Sequence, residues 1–221
     1  MNHSVVNLVK IQEEIHLKIR ESNNTLIAPE IIAVSKTIAM KDILPVINQG
    51  HKHFGENKVQ EAVEKWEDIK KDFNHISLHM IGKLQKNKAK YAVKLFDYIH
   101  SLDNLRLAEK LSNEEKKQKK KIKIFIQINL ENESQKNGIT LDEIDDFYKR
   151  CIGDLNLNII GFMCIPPQDG NLTAYFKEMK NLLNKYELKE LSMGMSSDYL
   201  EAIKYQSTFI RIGTKIFGKR N

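Results

Sequence analysis

Lys36 closes an apolar run, Ile31-Ile32-Ala33-Val34-Ser35, and Arg211 stands in a second run near the far end of the chain, Phe209-Ile210-Arg211-Ile212-Gly213-Thr214. An amine held beside buried hydrocarbon loses proton affinity and becomes able to condense with an aldehyde. The second run offers an anion cradle. Gly213 lets backbone approach a ligand closely, the turn supplies amide hydrogens, and Thr214 adds a hydroxyl. Each motif also has a plain reading: a lysine after a strand is usually a solvated end, and an arginine there an ordinary surface residue. The chemistry requires the two segments to meet in space.

Other polar residues punctuate apolar runs in the same way. Leu191-Ser192-Met193-Gly194-Met195-Ser196-Ser197-Asp198 ends a strand and opens a helix. Ser196 or Ser197 could cap that helix, bind phosphate at its N-terminus, or do both. In Phe54-Gly55-Glu56-Asn57, Asn57 could meet a ligand or cap the next helix, and capping is the simpler role. His79, in His79-Met80-Ile81-Gly82, suits a satisfied core histidine as well as a ligand, and Asn129 could face the same mouth. His51-x-His53 is the closest histidine pair, without an evident third metal ligand. Cys151 and Cys164 lack metal spacing and make no disulfide framework in a chain of 221 residues.

The elements that must position these residues alternate. Apolar strands are expected at 30–36, 52–54, 76–81, 96–101, 122–129, 158–164, 189–192 and 208–212. Amphipathic helices are expected near 40–49, 57–70, 85–95, 103–118, 140–150, 172–186 and 197–205, with a further helix at 3–20. Pro45 falls inside one of them and could shorten or kink it. Strands alternating with helices predict an α/β fold, a (β/α)8 TIM-type barrel with an additional N-terminal helix, over one domain spanning 1–221. A doubly wound open sheet competes, but no Gly-x-Gly-x-x-Gly follows any strand. Counting back by twos places Val34 and Ile32 on the face of Lys36, and Phe209 on that of Arg211. The polar residues thus cap apolar strand bodies at the end where barrel sites are built.

Composition narrows the class. A 41% hydrophobic and 29% charged chain suits a soluble globular protein, and no apolar run approaches a membrane span. The N-terminus reads as an amphipathic helix and not as a secretion signal, which makes the cytoplasm the expected location. The net charge of +6 draws largely on Lys116, Lys117, Lys119, Lys120, Lys121 and Lys123. That run lacks interleaved aromatics, so it reads as a solvated helix end leading into a strand, with no nucleic acid as partner.

Taken in order, the motifs resemble the pyridoxal phosphate homeostasis proteins, single-domain relatives of the alanine racemase barrel. The resemblance rests on Ala33-Val34-Ser35-Lys36-Thr37, Phe54-Gly55-Glu56-Asn57 with Val59-Gln60-Glu61, and His79-x-Ile81-Gly82-x-Leu84-Gln85 with Asn87-Lys88. It continues through Gln127-Ile128-Asn129, Gly161-Phe162-Met163, Leu191 to Ser196, and Arg211-Ile212-Gly213-Thr214-x-Ile216-Phe217-Gly218. Lys58 stands where many relatives carry an aromatic residue, and Gln135 precedes Lys136 where a serine is common.

The resemblance implies that Lys36 holds pyridoxal 5'-phosphate as an aldimine. It implies that Ser196, Gly213 and Thr214 hold the phosphate, that Arg211 contacts the pyridine nitrogen, and that Asn57 lies near the ring. An arginine at the ring nitrogen leaves it unprotonated, which makes a weak electron sink. Racemases of this lineage take their second acid/base group from another domain of a partner subunit, and the chain ends at Asn221, just after the phosphate cluster. The implied role is therefore vitamin B6 homeostasis: a monomeric carrier that passes cofactor to pyridoxal phosphate-dependent apoenzymes without turning over substrate. A small amino-acid racemase is the alternative.

Overall fold

The computed structural model describes residues 2–22, 26–131, 137–167 and 170–218. Eight strands close a barrel: β1 (Glu30–Val34), β2 (His53–Glu56), β3 (Ser77–Met80), β4 (Tyr98–Leu102), β5 (Lys123–Asn129), β6 (Ile159–Met163), β7 (Glu190–Met195) and β8 (Phe209–Ile212). Each pairs in parallel with the next, and β8 returns to β1. The doubly wound alternative is thereby excluded. All eight C-terminal ends share one mouth.

The strand bodies are nearly continuous apolar runs because both faces are covered. Ile32, Tyr98, Phe125, Met163 and Phe209 pack inside the barrel. Their chain neighbours Ile31, Ala33, Ile99, Ile124, Ile126, Phe162 and Ile210 belong to the larger core outside it. The alternation expected for Ile32 and Phe209 is therefore the one observed.

Helices α1 (His3–Glu21), α2 (Met40–Asn48), α3 (Val59–Trp66), α4 (Ala89–Leu95), α5 (Leu105–Gln118), α6 (Ile144–Lys149), α7 (Leu172–Lys185), α8 (Tyr199–Lys204) and α9 (Thr214–Phe217) surround the strands. Asn2, Asn104 and Asn171 cap α1, α5 and α7 by accepting backbone N–H bonds, each cap worth roughly 1 kcal/mol. Helix α1 buries Val5, Leu8, Ile11 and Ile15 along one stripe. It packs against α2 and α9, and Asn7 Nδ2 donates to the Ile216 carbonyl at 3.0 Å. Helix α2 runs through Pro45 to Asn48.

Two segments depart from expectation. The helix expected at 140–150 starts at Ile144, because Ile139–Thr140 forms a two-residue strand beside the end of β5. The Thr140 hydroxyl donates to Glu143 at 2.8 Å there. The helix expected at 57–70 is divided into α3 and a single turn at Ile69–Asp72. Gln135 and Lys136 lie outside the described residues.

The lysine run does structural work. Lys120 Nζ donates to the carbonyls of Lys94 and Phe96 at 3.0 and 2.9 Å. Lys121 pairs with buried Glu115 at 3.0 Å, and Lys123 donates to the Tyr98 hydroxyl at 3.0 Å. No helix of the described residues is long and apolar enough to cross a membrane.

Candidate functional site

Asn57, Lys36 and Ser196 follow β2, β1 and β7, while Arg211 lies within β8 and Gly213 and Thr214 follow it, on four staves consecutive around the barrel. Ile32 stands opposite Arg211 and Ala33 opposite Ile212. The two ends of the chain therefore meet as the sequence motifs require.

Lys36 sits two residues past β1, half-buried, in a turn held from behind. Ser35 N–H donates to the Gly55 carbonyl at 3.0 Å, and its hydroxyl donates to Glu56 Oε1 at 2.7 Å. Lys65 Nζ donates to the Ser35 carbonyl, to Glu56 and to Glu61, each at 2.9 Å. Trp66 Nε1 donates to the same Glu56 oxygen at 2.9 Å. Thr37 has a left-handed φ of 63° and donates its N–H to Glu61 at 2.5 Å. A threonine in that region is strained unless its surroundings fix it, and the Glu61 bond does so. Glu56 is wholly buried, so this charged network sits in low dielectric, where a lost partner is costly.

Asn57 does not cap α3: its N-cap is Lys58, without a side-chain bond. Asn57 Oδ1 is buried and has no partner among the described residues. Gly82 lies against it, since a Cβ there would come within 2.4 Å of the Asn57 carbonyl oxygen. A buried amide oxygen without a protein partner is uncommon in a native fold.

Neither Ser196 nor Ser197 caps α8. The N-cap is Asp198, whose carboxylate instead accepts the Met195 N–H at 2.5 Å. Ser196 turns toward β8, where Thr214 Oγ1 donates to its hydroxyl oxygen at 3.2 Å. Gly213 precedes α9, its carbonyl accepting the Ile216 and Phe217 N–H groups at 2.9 Å.

Arg211 is 5% exposed. Its Nη1 donates to the Ser192 carbonyl and hydroxyl at 2.7 and 2.6 Å, and Nη2 to the Cys164 carbonyl at 2.8 Å. Burial lowers its pKa from the ordinary arginine value. The Nε hydrogen and one Nη2 hydrogen keep no partner among the described residues.

His79 is a satisfied core histidine, bonded to two other rings: His53 Nδ1 lies 2.9 Å from its Nε2, and His100 Nε2 lies 2.8 Å from its Nδ1. His51 Nε2 donates to the His53 carbonyl at 3.0 Å. Among the described residues no group of three His, Cys, Asp or Glu side chains could hold a metal ion. The sequence reading missed Glu56, Glu61, Lys65, His100 and Ser192 as contributors to the site. Glu56, Glu61 and Ser192 lie in the motifs quoted above, but His100 has no local signature.

Comparison with known proteins agrees with this geometry. Residues 11–221 match the family model described as alanine racemase, N-terminal domain. The pyridoxal phosphate homeostasis protein of Pasteurella multocida is 36% identical, over 97% of each chain. That of Escherichia coli K12 is 32% identical, over 100% of this chain and 98% of its own. PipY of Synechococcus elongatus, solved with pyridoxal phosphate bound, superposes with a TM-score of 0.79 at 33% identity, covering 92% of this chain and 100% of PipY. Alanine racemase of Clostridium difficile shares the fold at 11% identity, with a TM-score of 0.69. The chain belongs to the alanine racemase N-terminal domain family, in its pyridoxal phosphate homeostasis branch.

Proposed function

We propose that this protein binds pyridoxal 5'-phosphate at the barrel mouth and serves vitamin B6 homeostasis as a carrier, without turning over a substrate. The observation that carries the reading is the adjacency of β1 and β8, which places the Lys36 segment beside Arg211, Gly213 and Thr214. The residues fit the group. The Lys36 amine would condense with the cofactor's aldehyde, with release of one water. Thr214, Ser196 and the backbone at Gly213 take the phosphate, Asn57 lies beside the ring, and Arg211 keeps hydrogens for the ring nitrogen.

When bound, the cofactor supplies an electron-withdrawing ring, and a ring facing a cation is weakly so. Arg211 therefore favours holding over carbanion chemistry. Delivery to pyridoxal phosphate-dependent apoenzymes, a monomeric state and a cytoplasmic location belong to the same proposal. The two thiols suit a reducing compartment: Cys151 and Cys164 are buried and free, and burial pushes both up to about 12. Titration with pyridoxal phosphate tests the reading. One equivalent is expected to bind wild type, with loss of the yellow complex in Lys36→Ala. Exchange of an amino acid's α-hydrogen in deuterated water would instead establish a racemase.

A further inference from the structure

A single file of side chains crosses the barrel interior beneath Arg211. Arg211 Nη1 lies 2.6 Å from Ser192 Oγ, and Ser192 Oγ lies 2.8 Å from His100 Nδ1. His100 Nε2 is 2.8 Å from His79 Nδ1, and His79 Nε2 is 2.9 Å from His53 Nδ1. His53 Nε2 then faces Glu30 Oε2 at 3.6 Å, at the N-terminal end of the barrel. His79 and His100 are fully buried. His79 stacks on Tyr98 at 4.2 Å and His100 on Phe125 at 4.3 Å, which braces one face of each ring.

The ends of the file fix its direction. Arginine can only donate, so Ser192 Oγ accepts from it. His100 is then the one partner of Ser192 able to take the hydroxyl hydrogen, so His100 Nδ1 accepts. A neutral imidazole that accepts at Nδ1 donates from Nε2. The same assignment passes to His79 and to His53, and leaves the last hydrogen on His53 Nε2, 3.6 Å from the exposed Glu30 carboxylate. Each dipole turns its negative end toward Arg211. The hydrogen-bond partners of this buried cation are all neutral, and the Asp198 carboxylate favours its charge only from farther away, so such dipoles add compensation, and aligned hydrogen bonds reinforce one another in low dielectric. Apolar side chains would fill the same space without desolvating three imidazoles.

We propose that Ser192, His100, His79 and His53 form a one-way hydrogen-bonded relay, with the Glu30 carboxylate beyond its far end, that fixes the orientation of the Arg211 guanidinium, which makes them positioning residues for the ring-facing arginine. Its functional meaning rests on the reading that Arg211 faces the cofactor ring. Burial holds all three rings neutral near pH 7, which the relay requires.

The test uses the full chain without cofactor, labelled with nitrogen-15. Long-range spectra at pH 7.5 are expected to show His53, His79 and His100 each as the neutral Nε2–H form. In His79→Phe, which keeps a ring against Tyr98, the guanidinium hydrogens are expected to exchange at least ~tenfold faster. Glu30→Gln, at an exposed position, provides an arm that leaves the fold intact: the His53 Nε2 resonance is expected to shift, with a smaller shift at His100. An Nδ1–H or doubly protonated form at any of the three rings in wild type would overturn the relay, as would unchanged guanidinium exchange in folded His79→Phe. So would a His100 resonance indifferent to Glu30→Gln. Borohydride fixation at Lys36, run on the same preparation, separates the two claims. Its failure removes the cofactor reading while the ring forms stay readable, and wrong ring forms remove the relay while fixation persists.

Discussion

The hydroxyls of Ser196 and Thr214 lie 3.2 Å apart, brought together by the pairing of β7 with β8. A dianionic phosphate between them and the Gly213 backbone would accept charge-assisted bonds worth about 1.5–3 kcal/mol each. Thr214→Val keeps the shape and removes the donor. It is expected to weaken pyridoxal phosphate binding by roughly 10–100-fold, measured by equilibrium dialysis, while Lys36 still reacts at saturation. An affinity within twofold of wild type would remove Thr214 from the phosphate site.

Glu56 Oε1 gathers Ser35, Lys65 and Trp66 behind the lysine. Glu56→Gln leaves Lys65 partly uncompensated at a buried position, and such losses cost about 3 kcal/mol or more. Urea unfolding is expected to show that loss in the midpoint with an unchanged slope. A midpoint equal to wild type would mean that the network is dispensable.

Much of this was legible in the primary structure, for a physical reason. Apolar strands buried on both faces stand out as short runs, and the polar residues that end them mark one rim. Lys36, Arg211 and Thr214 were visible on those grounds. Capping was not. Ser196 looked like a helix cap, but Asp198 holds that position through its backbone carbonyl, which accepts the Glu201 and Ala202 N–H groups, while its carboxylate accepts the Met195 N–H. Nor could His100 and Ser192 be linked, since they lie 92 positions apart and meet only when the barrel closes. The Thr140–Glu143 bond that delays α6 likewise competes locally with the helical pattern.

Acid should destabilise the fold through its histidines. Burial lowers His51 and His53 from 6.5 to about 4, and His79 and His100 well below 6.5. The unfolded chain therefore binds more protons than the native one below pH 6.5. Their contribution is complete above that value and is lost as pH falls toward 4 and below. Each ring removes up to about 1.4 kcal/mol per pH unit in that window. Urea midpoints at pH 7.5 and 5.5 measure the effect; equal midpoints would contradict neutral buried rings.

Gly82 sets the place of Asn57. An added Cβ would lie 2.4 Å from the Asn57 carbonyl oxygen and 2.7 Å from its Cβ. Gly82→Ala is expected to displace Asn57 and cost about 1–3 kcal/mol, with weaker cofactor binding. Gly153→Ala meets nothing within 4 Å and serves as the control, expected to match wild type in both measurements.

The identity of the reacting amine tests the account most directly. Purified protein loaded with pyridoxal phosphate is reduced with borohydride, digested and mapped by mass spectrometry. A yellow chromophore that bleaches on reduction and a single pyridoxyl adduct on Lys36 are expected. An adduct confined to another lysine, or a protein that stays colourless with excess cofactor, would contradict it.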